Sequence, residues 1–467
     1  MPELNRPPRG NPLGSAPIPA LIRRFAIPAV VSFLVNSAYN ITDQIFIGRT
    51  VGILGNAATN VAFPLMTLTI ALSQLAGVGT AAAFNLHMGA GEREEAERFI
   101  GTGLTLSVLI GLVLGAVVLL FQTPILLLCG ATEAVLPFAR SYLGITGFGL
   151  PLLLFINASN MMIRADGSPN YSMLSTVVGA VLNIFLDALF MLVFRWGIQG
   201  AAAATVIGQT VSCLMCLAYL PRFRAFPIRR GMLGLRPACV RRIARLGFSN
   251  LLNLTMLALM NVVLNNTLTH YGAQSVYGSD IPLAVAGIVS KINSILMAFT
   301  VGLAHGCQPI FSFNMGAKNY ARIKEAYKKA ALAALCFSFL AFLCFQLFPR
   351  QITGVFGTGE ELYYQFSTQY LRIFMMLICL VGIQPLTVNY FTSIGDVPRA
   401  IFLSLGRQGL FLIPLLLILP LFFGLNGALA AGPTAELLSF LLSVTMIFFS
   451  FRKLTRLEET ERVKKQS

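Results

Sequence analysis

The chain has 467 residues, of which 56% are hydrophobic and only 11% charged, and its formal net charge is +16. A soluble domain has about 45–50% apolar and about 25% charged residues, so this composition excludes a soluble protein and indicates one that crosses a membrane many times. The positive charge could indicate a nucleic-acid partner, but basic residues also gather on the cytoplasmic side of membrane proteins. Their positions along the chain decide between these two interpretations.

The predicted elements begin with a tail, because residues 1–20 are rich in Pro and Gly without an apolar core or cleavage site. We expect this tail to be disordered and cytoplasmic. A hydrocarbon core about 30 Å thick needs about 20 apolar residues in a helix. Twelve runs meet this condition, with boundaries good to a few residues: roughly 24–48, 57–88, 99–121, 134–163, 170–194, 198–220, 246–272, 281–313, 322–348, 361–392, 398–423 and 427–451.

The Lys and Arg residues between these spans are distributed very unevenly. Alternate connecting segments, together with the two tails, contain 27 of the 34 basic residues, and the opposite segments contain only Arg49, Arg195 and Arg350. The positive-inside rule therefore predicts that both termini are cytoplasmic and that the number of spans is even. A solvated cytoplasmic linker at 221–245 and a cytoplasmic tail at 453–467 explain the positive charge, so no nucleic-acid partner is expected.

The two halves of the chain resemble each other. The segment "HMGAGE" at 87–92 recurs as "NMGAKN" at 314–319, and "GIQGAAAA" at 197–204 recurs as "GLNGALAA" at 424–431, both at an offset of 227 residues. Six spans per repeat is an even number, so the two copies have the same orientation in the membrane. The sequence predicts an all-α membrane protein of two pseudo-symmetric six-helix bundles, 21–220 and 246–452, with a cleft between them.

Two carboxylates remain inside the predicted spans of the first half. An ionisable residue within a membrane costs about 2.5–3.5 kcal/mol on insertion scales and is a functional candidate for that reason. Asp43 lies six residues before Arg49, and Asp187 lies eight residues before Arg195. At 1.5 Å per residue these positions are about 9 Å and about 12 Å below the outer boundary, so the two acids can lie at a similar depth.

Three polar residues accompany this pair. Asn183 is one turn before Asp187, Tyr39 is one turn before Asp43, and Thr205 reaches the same level from the outer end of the sixth span. Two neighbouring carboxylates in a medium of low dielectric constant cannot both be ionised cheaply, so the pair either shares a proton or holds a monovalent cation such as Na⁺. The alternative is that the two acids only hydrogen-bond helices together or extend toward the interface.

The second half has no copy of the acid pair, because Asp43 aligns with His270 and Asp187 aligns with Pro414. It contains instead three ionisable residues, each about ten residues inside a span, that could form a mid-membrane cluster: Glu436, Lys291 and Arg372. Such a cluster would serve either packing or substrate binding. Arg407 lies deeper toward the cytoplasmic side and has no assigned partner.

Four further segments are distinctive: "YNITDQIFIG" in the first span, "IRADGSPNYSM" before the fifth, "LNIFLDALFM" within it and "WGIQGAAAATVIGQ" leading into the sixth. Together they resemble the multidrug and toxic compound extrusion (MATE) family, in its bacterial MepA-like branch. The resemblance covers about residues 20–452. It implies an alternating-access antiporter in two six-helix lobes, whose coupling site in the first lobe matches the following positions: Asp43, Asn157, Asn183, Asp187 and Thr205, with Tyr39 nearby.

The resemblance further implies bulky, often cationic drugs as substrates, H⁺ or Na⁺ as the coupling ion and a bacterial inner membrane as the location. We expect a monomer without a cofactor or resident metal, and no enzymatic activity. One alternative is a lipid-linked oligosaccharide flippase, although such proteins tend to have additional spans and a cationic cavity. Another is an intramembrane aspartyl protease, which would need a GxGD-type arrangement that "NIFLDALF" lacks. No P-loop pattern appears, which disfavours ATP-driven export.

Overall fold

The computed structural model describes residues 11–278, 280–354 and 361–466, and every regular element in these ranges is helical. The α-helices in chain order are α1 Pro12–Ser15, α2 Ile18–Thr50, α3 Ile53–Ala90, α4 Arg93–Leu120, α5 Gln122–Leu128, α6 Leu136–Ala165, α7 Pro169–Asp187, α8 Ile198–Tyr219, α9 Pro237–Ala273, α10 Asp280–Gly316, α11 Tyr320–Leu347, α12 Pro349–Gly354, α13 Glu361–Phe374, α14 Ile383–Ser393, α15 Val397–Leu405 and α16 Ile413–Gln466. Two π-helical segments, Ala188–Val193 and Gly406–Leu412, follow α7 and α15. The predicted all-α class is confirmed.

In the described part of the chain, ten helices are long and apolar enough to cross a membrane. The last of them, Val397–Glu461, has 65 residues, or about 97 Å, which is about three times the hydrocarbon core. Its backbone leaves the helical conformation at Gly424, so it consists of two helices. A further pair, Glu361–Phe374 and Ile378–Ser393, bends by 46° and qualifies only as one broken span. Counting the long helix as two spans and the bent pair as one yields the predicted twelve.

The chain divides into two compact units. We call Arg23–Leu251 the first unit, and Pro12–Ile22 together with the chain from Leu252 onward the second unit. The basic stretch 221–245, which we predicted to be a solvated linker, belongs to the first unit and is partly packed. Phe223 and Phe226 are buried and meet the ring of Phe84 edge-on, with centroids 5.8 Å and 6.0 Å away. Burial of these aromatic side chains packs the stretch against the rest of the first unit, although its arginines favour exposure to water.

Residues 12–20 are ordered, with helices at Pro12–Ser15 and from Ile18 onward, although we predicted a disordered tail over 1–20. Leu13 and Ile18 are buried, and backbone carbonyl groups at the start of the chain receive hydrogen bonds from α10 and α11. Asn314 Nδ2 donates to the Leu13 oxygen at 3.0 Å, and an Arg322 η-nitrogen donates to the Ala16 oxygen at 2.6 Å. Amino-acid composition does not reveal this ordered segment, because the hydrogen-bond donors that hold it lie about 300 residues away in the sequence. Residues 1–10 lie outside the described residues.

The internal repeat is visible in backbone conformation. Gly197 in the first unit has φ 59° and ψ −138°, and Gly424 in the second has φ 56° and ψ −139°. A side chain is strongly disfavoured in this region, so both copies need glycine there. The motif at 87–92 and 314–319 also ends its helix in the same way in each copy. Gly91 and Lys318, which are equivalent positions, both have positive φ angles, 82° and 57°. The 227-residue offset seen in the sequence thus relates equivalent structural positions.

Candidate functional site

Asp43 and Asp187 are both buried within the first unit. Asp43 lies near the end of α2 and is 7% exposed, and Asp187 is the last residue of α7 and is fully buried. The two carboxylates are close enough to interact electrostatically. A helix cannot bury an acid without a compensating group, so these two positions need either a proton, a cation or several donors.

A small apolar cluster shows that the two acids and Thr205 lie at one level. Ile47, Met191 and Ala201 are buried against one another. They are four residues after Asp43, four after Asp187 and four before Thr205, respectively. Because α8 runs in the opposite direction to α2 and α7, each of these steps is one helical turn toward the same end of the unit. The structure therefore brings the three polar residues together, directly beneath an apolar layer.

Asn183 is held beside Thr205 by the close packing of α7 against α8. The Asn183 Nδ2 donates to Thr205 Oγ1 at 3.4 Å. Gly208 makes this approach possible, since a Cβ atom there would lie 2.8 Å from the Gly179 carbonyl oxygen and 3.2 Å from the Asn183 Cβ. No ordinary side chain fits at that distance. The amide nitrogen is thereby used, and the amide oxygen of Asn183 is left to face the site.

Four oxygen atoms at this level accept no hydrogen bond from the described part of the chain. They are Asp43 Oδ1, Asp187 Oδ1, Asp187 Oδ2 and Asn183 Oδ1. Buried polar atoms in folded proteins are nearly always hydrogen-bonded, and each exception calls for an explanation. Convergent carboxylate and amide oxygens are the ligands that hard cations prefer, and a carboxylate pair can also hold a proton between its members. The arrangement is suited to binding a small cation.

Tyr39 lies one turn before Asp43 on α2, half-buried, and interacts electrostatically with both acids. Asn157 lies on α6 and is half-buried. Among the described residues, no hydrogen bond joins Asn157 to Asp43 or Asp187. Of the six positions matched by the resemblance, three therefore accompany the acid pair, namely Asn183, Thr205 and Tyr39. Asn157 lies on a neighbouring helix that packs against α8.

Sequence reasoning missed Tyr142. This tyrosine is buried on α6 and interacts electrostatically with Asp43, Asp187 and Tyr39. It lies six residues from the start of α6 at Leu136, or about 9 Å along the helix, which is the depth inferred for Asp43. The sequence signal for Tyr142 is this depth, because the helical rise that places the Asp43 carboxylate also places the Tyr142 hydroxyl group.

The backbone changes directly after Asp187. Residues 188–193 form a π-helix, in which the Phe194 N–H donates to the Leu189 oxygen at 3.0 Å, five residues back. The sequence predicted an uninterrupted helix here. Single π-helical turns are rare and occur frequently at functional sites, because they widen a helix and redirect its side chains. The wide turn places Met191 in the apolar layer over the acids.

The three candidates of the second unit do not form the predicted cluster. Glu436 pairs with Arg407, whose Nε lies 2.9 Å from a carboxylate oxygen, and both side chains are largely buried. Lys291 and Arg372 are exposed, and neither has an ion-pair partner among the described residues. The prediction was wrong because an equal depth does not specify which face of a helix a residue occupies, and Lys291 and Arg372 lie on exposed faces. The residue that Glu436 does contact, Arg407, lies in the second π-helical segment.

Comparison with known proteins agrees with this architecture. The MatE family model matches residues 28–189 and 248–418. The multidrug export protein MepA of Staphylococcus aureus is 23% identical over 441 residues, covering 94% of this chain and 96% of that protein. The probable multidrug resistance protein YoeA of Bacillus subtilis is 25% identical over 349 residues, covering 73% and 74%.

A solved structure of a MOP superfamily transporter from Pyrococcus furiosus superposes with a TM-score of 0.87 at 22% identity, covering 97% of this chain and 99% of the other. At that identity the similarity establishes the fold. The family model, in contrast, covers well over half of the chain in two segments, one in each repeat. The chain therefore belongs to the MatE family and is a multi-pass membrane transporter, not an enzyme.

Proposed function

We propose that this protein is a cation-coupled multidrug efflux antiporter, in which H⁺ or Na⁺ enters through the Asp43/Asp187 site while a drug leaves. The observation that carries the proposal is the set of four buried oxygen atoms without a donor in the described part of the first unit, contributed by Asp43, Asp187 and Asn183. Such a set favours a bound cation, and it has no copy in the second repeat. The names of the MepA and YoeA relatives support export of drugs.

The same oxygens would serve either ion. A proton shared by the two carboxylates would remove one negative charge and supply one hydrogen bond between them. Na⁺ would use the carboxylate oxygens together with Asn183 Oδ1 as hard ligands, as alkali and alkaline-earth ions do elsewhere. In both cases, occupation neutralises a site that is otherwise costly in a low-dielectric medium.

The membrane potential can drive export of a neutral drug. One charge moving inward across 100 mV contributes about 2.3 kcal/mol, which supports an outward gradient of about fiftyfold for a neutral substrate. A singly charged drug exchanged one for one moves no net charge, so its export needs the concentration gradient of the coupling ion or a second inward ion. Coupling by alternating access requires that the cation and the drug favour different states of the protein. Neutralising the acid pair changes how α2 and α7 pack beneath the Ile47–Met191–Ala201 layer, and this is the local event that would bias the two states.

We further propose bulky organic cations as substrates, a monomeric transporter, and insertion in a bacterial inner membrane with both termini in the cytoplasm. The orientation follows from the distribution of Lys and Arg, and a negative interior potential would favour coupling to inward cation movement.

The decisive experiment is dye efflux from reconstituted vesicles under an imposed pH gradient or an imposed sodium gradient. We expect wild type to respond to one of the two gradients, and Asp43→Asn and Asp187→Asn to lose the response at least a hundredfold. Both substitutions preserve side-chain size. The matched control is Glu133→Gln, which removes an exposed carboxylate from the same unit without touching the site.

Efflux by wild type that is independent of both gradients would reject coupling. Equal gradient-driven transport by Asp43→Asn and wild type would show instead that the acids only hold helices together. Retained binding of the dye by both variants, measured by fluorescence titration in detergent, distinguishes a coupling defect from a loss of fold.

A further inference from the structure

The end of α16 carries a basic surface that the transport cycle described above does not use. Two adjoining cavities of about 340 Å³ and about 300 Å³ open beside it and share Lys453 and Leu457 in their linings. We call this surface the α16 basic site. It comprises Phe449, Arg452, Lys453, Arg456, Leu457 and Thr460, which line the first cavity.

These six residues form one face of the helix. Their spacings are three, one, three, one and three residues, which is the pattern of a single stripe on an α-helix. Phe449 lies at the end of the stripe toward the membrane span, and Leu457 and Thr460 lie at the opposite end. A molecule lying along this face from the membrane side would therefore meet the aromatic ring first and the three cations next.

The acidic side chains nearest to this face already have basic partners outside α16. Lys324 Nζ lies 3.1 Å from a Glu458 carboxylate oxygen, and Lys318 Nζ lies 2.8 Å from one of Glu461. Glu459 is exposed and lines neither cavity. Lys318 and Lys324 thus neutralise acids that would otherwise compete for the stripe.

In the second cavity, Asp396 is paired in the same way, because an η-nitrogen of Arg399 lies 2.8 Å from its carboxylate. By contrast, Arg452, Lys453 and Arg456 have no acidic partner in the part of the chain that the structure describes. All three are exposed. Three neighbouring cations without a counter-charge attract an anion, and the adjoining cavities give it room.

The position of the stripe identifies the anion. Phe448 and Phe449 are 51% and 55% exposed, immediately before the cations. The guanidinium of Arg452 lies 4.3 Å from the Phe448 ring centroid, a geometry that holds this cation at the level where the aromatic residues end. Basic residues that directly follow the apolar part of a transmembrane helix lie at the lipid headgroup level, where anionic lipids attract them. The cations therefore face phosphate groups, and the aromatics face acyl chains.

We propose that the α16 basic site binds one anionic phospholipid. Its phosphodiester would lie among Arg452, Lys453 and Arg456, and its acyl chains would run along Phe449. Basic pockets between helices at the cytoplasmic side of membrane proteins bind such headgroups. Charge complementarity together with the aromatic continuation into the span favours a lipid over a soluble anion.

The test is native mass spectrometry of the full-length protein in detergent, titrated with phosphatidylglycerol, phosphatidylcholine or glycerol 3-phosphate. We expect wild type to retain phosphatidylglycerol preferentially. Each basic residue near a membrane surface contributes about a fivefold effect, so the triple variant Arg452→Gln/Lys453→Gln/Arg456→Gln should bind phosphatidylglycerol about a hundredfold more weakly. The single variant Arg456→Gln should lose about fivefold, and its fold is not at risk because the side chain is exposed.

The matched control removes three exposed arginines from the first unit, as Arg229→Gln/Arg230→Gln/Arg236→Gln, and should retain wild-type affinity. Phe449→Ser should weaken phosphatidylglycerol binding and leave glycerol 3-phosphate binding unchanged. Equal losses of phosphatidylglycerol binding in the two triple variants would contradict a specific site on α16, because such losses would reflect the net charge of the protein alone. Binding of glycerol 3-phosphate as tightly as phosphatidylglycerol would overturn the lipid as the occupant, and so would equal retention of phosphatidylcholine.

Discussion

The two units share a repeat but treat buried charge in opposite ways. In the first unit, Asp43 and Asp187 interact electrostatically, and three of their carboxylate oxygens have no donor among the described residues. In the second unit, Glu436 has its own neutralising partner in Arg407 at 2.9 Å. A carboxylate that carries an internal cation has no need of an external one. The comparison supports our proposal that a coupling cation binds in the first unit, since among the described residues the buried acid of the second unit is already paired.

The alignment of the repeats supports this distinction. At the offset of 227 residues, Glu436 corresponds to Gln209, a neutral residue. Asp43 corresponds to His270, which is exposed. Each unit therefore lacks the charged pair of the other. Duplication preserved the turns and helix ends, and the buried charges diverged.

The largest effect should come from breaking the ion pair of the second unit. Removing one partner of a buried pair leaves an uncompensated charge and costs about 3–5 kcal/mol, whereas removing both is often nearly neutral. We expect Arg407→Gln to lose about that much free energy of unfolding, measured by denaturant titration in mixed micelles. The double variant Arg407→Gln/Glu436→Gln should recover most of the loss and still transport. Equal losses in the single and double variants would mean that the pair contributes through packing rather than charge.

A lysine introduced beside the acid pair should give the first unit an internal counter-charge, as Arg407 does for Glu436 in the second unit. Thr205→Lys places an ammonium group at the level of Asp43 and Asp187, where it would substitute permanently for the coupling ion. We expect gradient-driven efflux to fall about a hundredfold, which corresponds to about 2.7 kcal/mol. Thr205→Met is the control, because it has similar length and no charge, and it should lose only a few-fold. Similar efflux in the two variants would show that steric bulk, not charge, governs the site.

Glycine contacts offer a comparison between the two units at a smaller scale. A Cβ at Gly208 would meet the Gly179 carbonyl oxygen at 2.8 Å, which is rigid backbone, whereas one at Gly406 would meet Leu442 Cδ2 at 3.3 Å, which can move. We expect Gly208→Ala to cost about 1–3 kcal/mol of unfolding free energy by overpacking. Gly406→Ala should be neutral or gain up to about 1 kcal/mol from helix propensity. Thermal unfolding in detergent measures both, and equal effects would contradict the close α7–α8 packing.

The smallest effect concerns the turn before the fifth span. Asp166, between α6 and α7, accepts hydrogen bonds from the Tyr219 hydroxyl at 2.7 Å and from the Arg224 and Ala225 backbone N–H groups at 2.6 Å and 2.8 Å. The equivalent turn of the second unit uses Asp396, paired with Arg399. Burial of Asp166 raises its pKa from 3.8 to about 6, although its donors and the nearby Arg224 charge partly offset this change.

A carboxyl group whose pKa is higher in the folded state stabilises the fold fully below pH 3.8, and this contribution is lost as the pH rises through about 6. Wild type should therefore lose about 1 kcal/mol of unfolding free energy between pH 5 and pH 7 relative to Asp166→Asn, which has no such titration. Asp166→Asn should be less stable at both values, because an amide cannot accept from all three donors. A constant difference across this pH range would show that Asp166 stays ionised throughout.

Much of the architecture was predictable from local properties of the chain. The spans follow from runs of apolar residues, and the repeat follows from motifs whose glycines adopt conformations that other residues avoid, as Gly197 and Gly424 do. The tail and linker predictions failed for the opposite reason. Leu13 and Phe226 are buried through partners distant in sequence, and composition alone does not reveal such partners.

The sequence by itself determined the helical membrane fold, the twelve spans and the depth at which Asp43 and Asp187 could meet, because hydropathy and helical rise are properties of single segments. Only the tertiary structure decided that Glu436 pairs with Arg407 and that the acids of the first unit have no donor of their own. Hydrogen bonding and ion pairing depend on side chains from different helices. A π-helical turn or a glycine contact such as that of Gly208 shifts those side chains by distances that residue counting does not resolve.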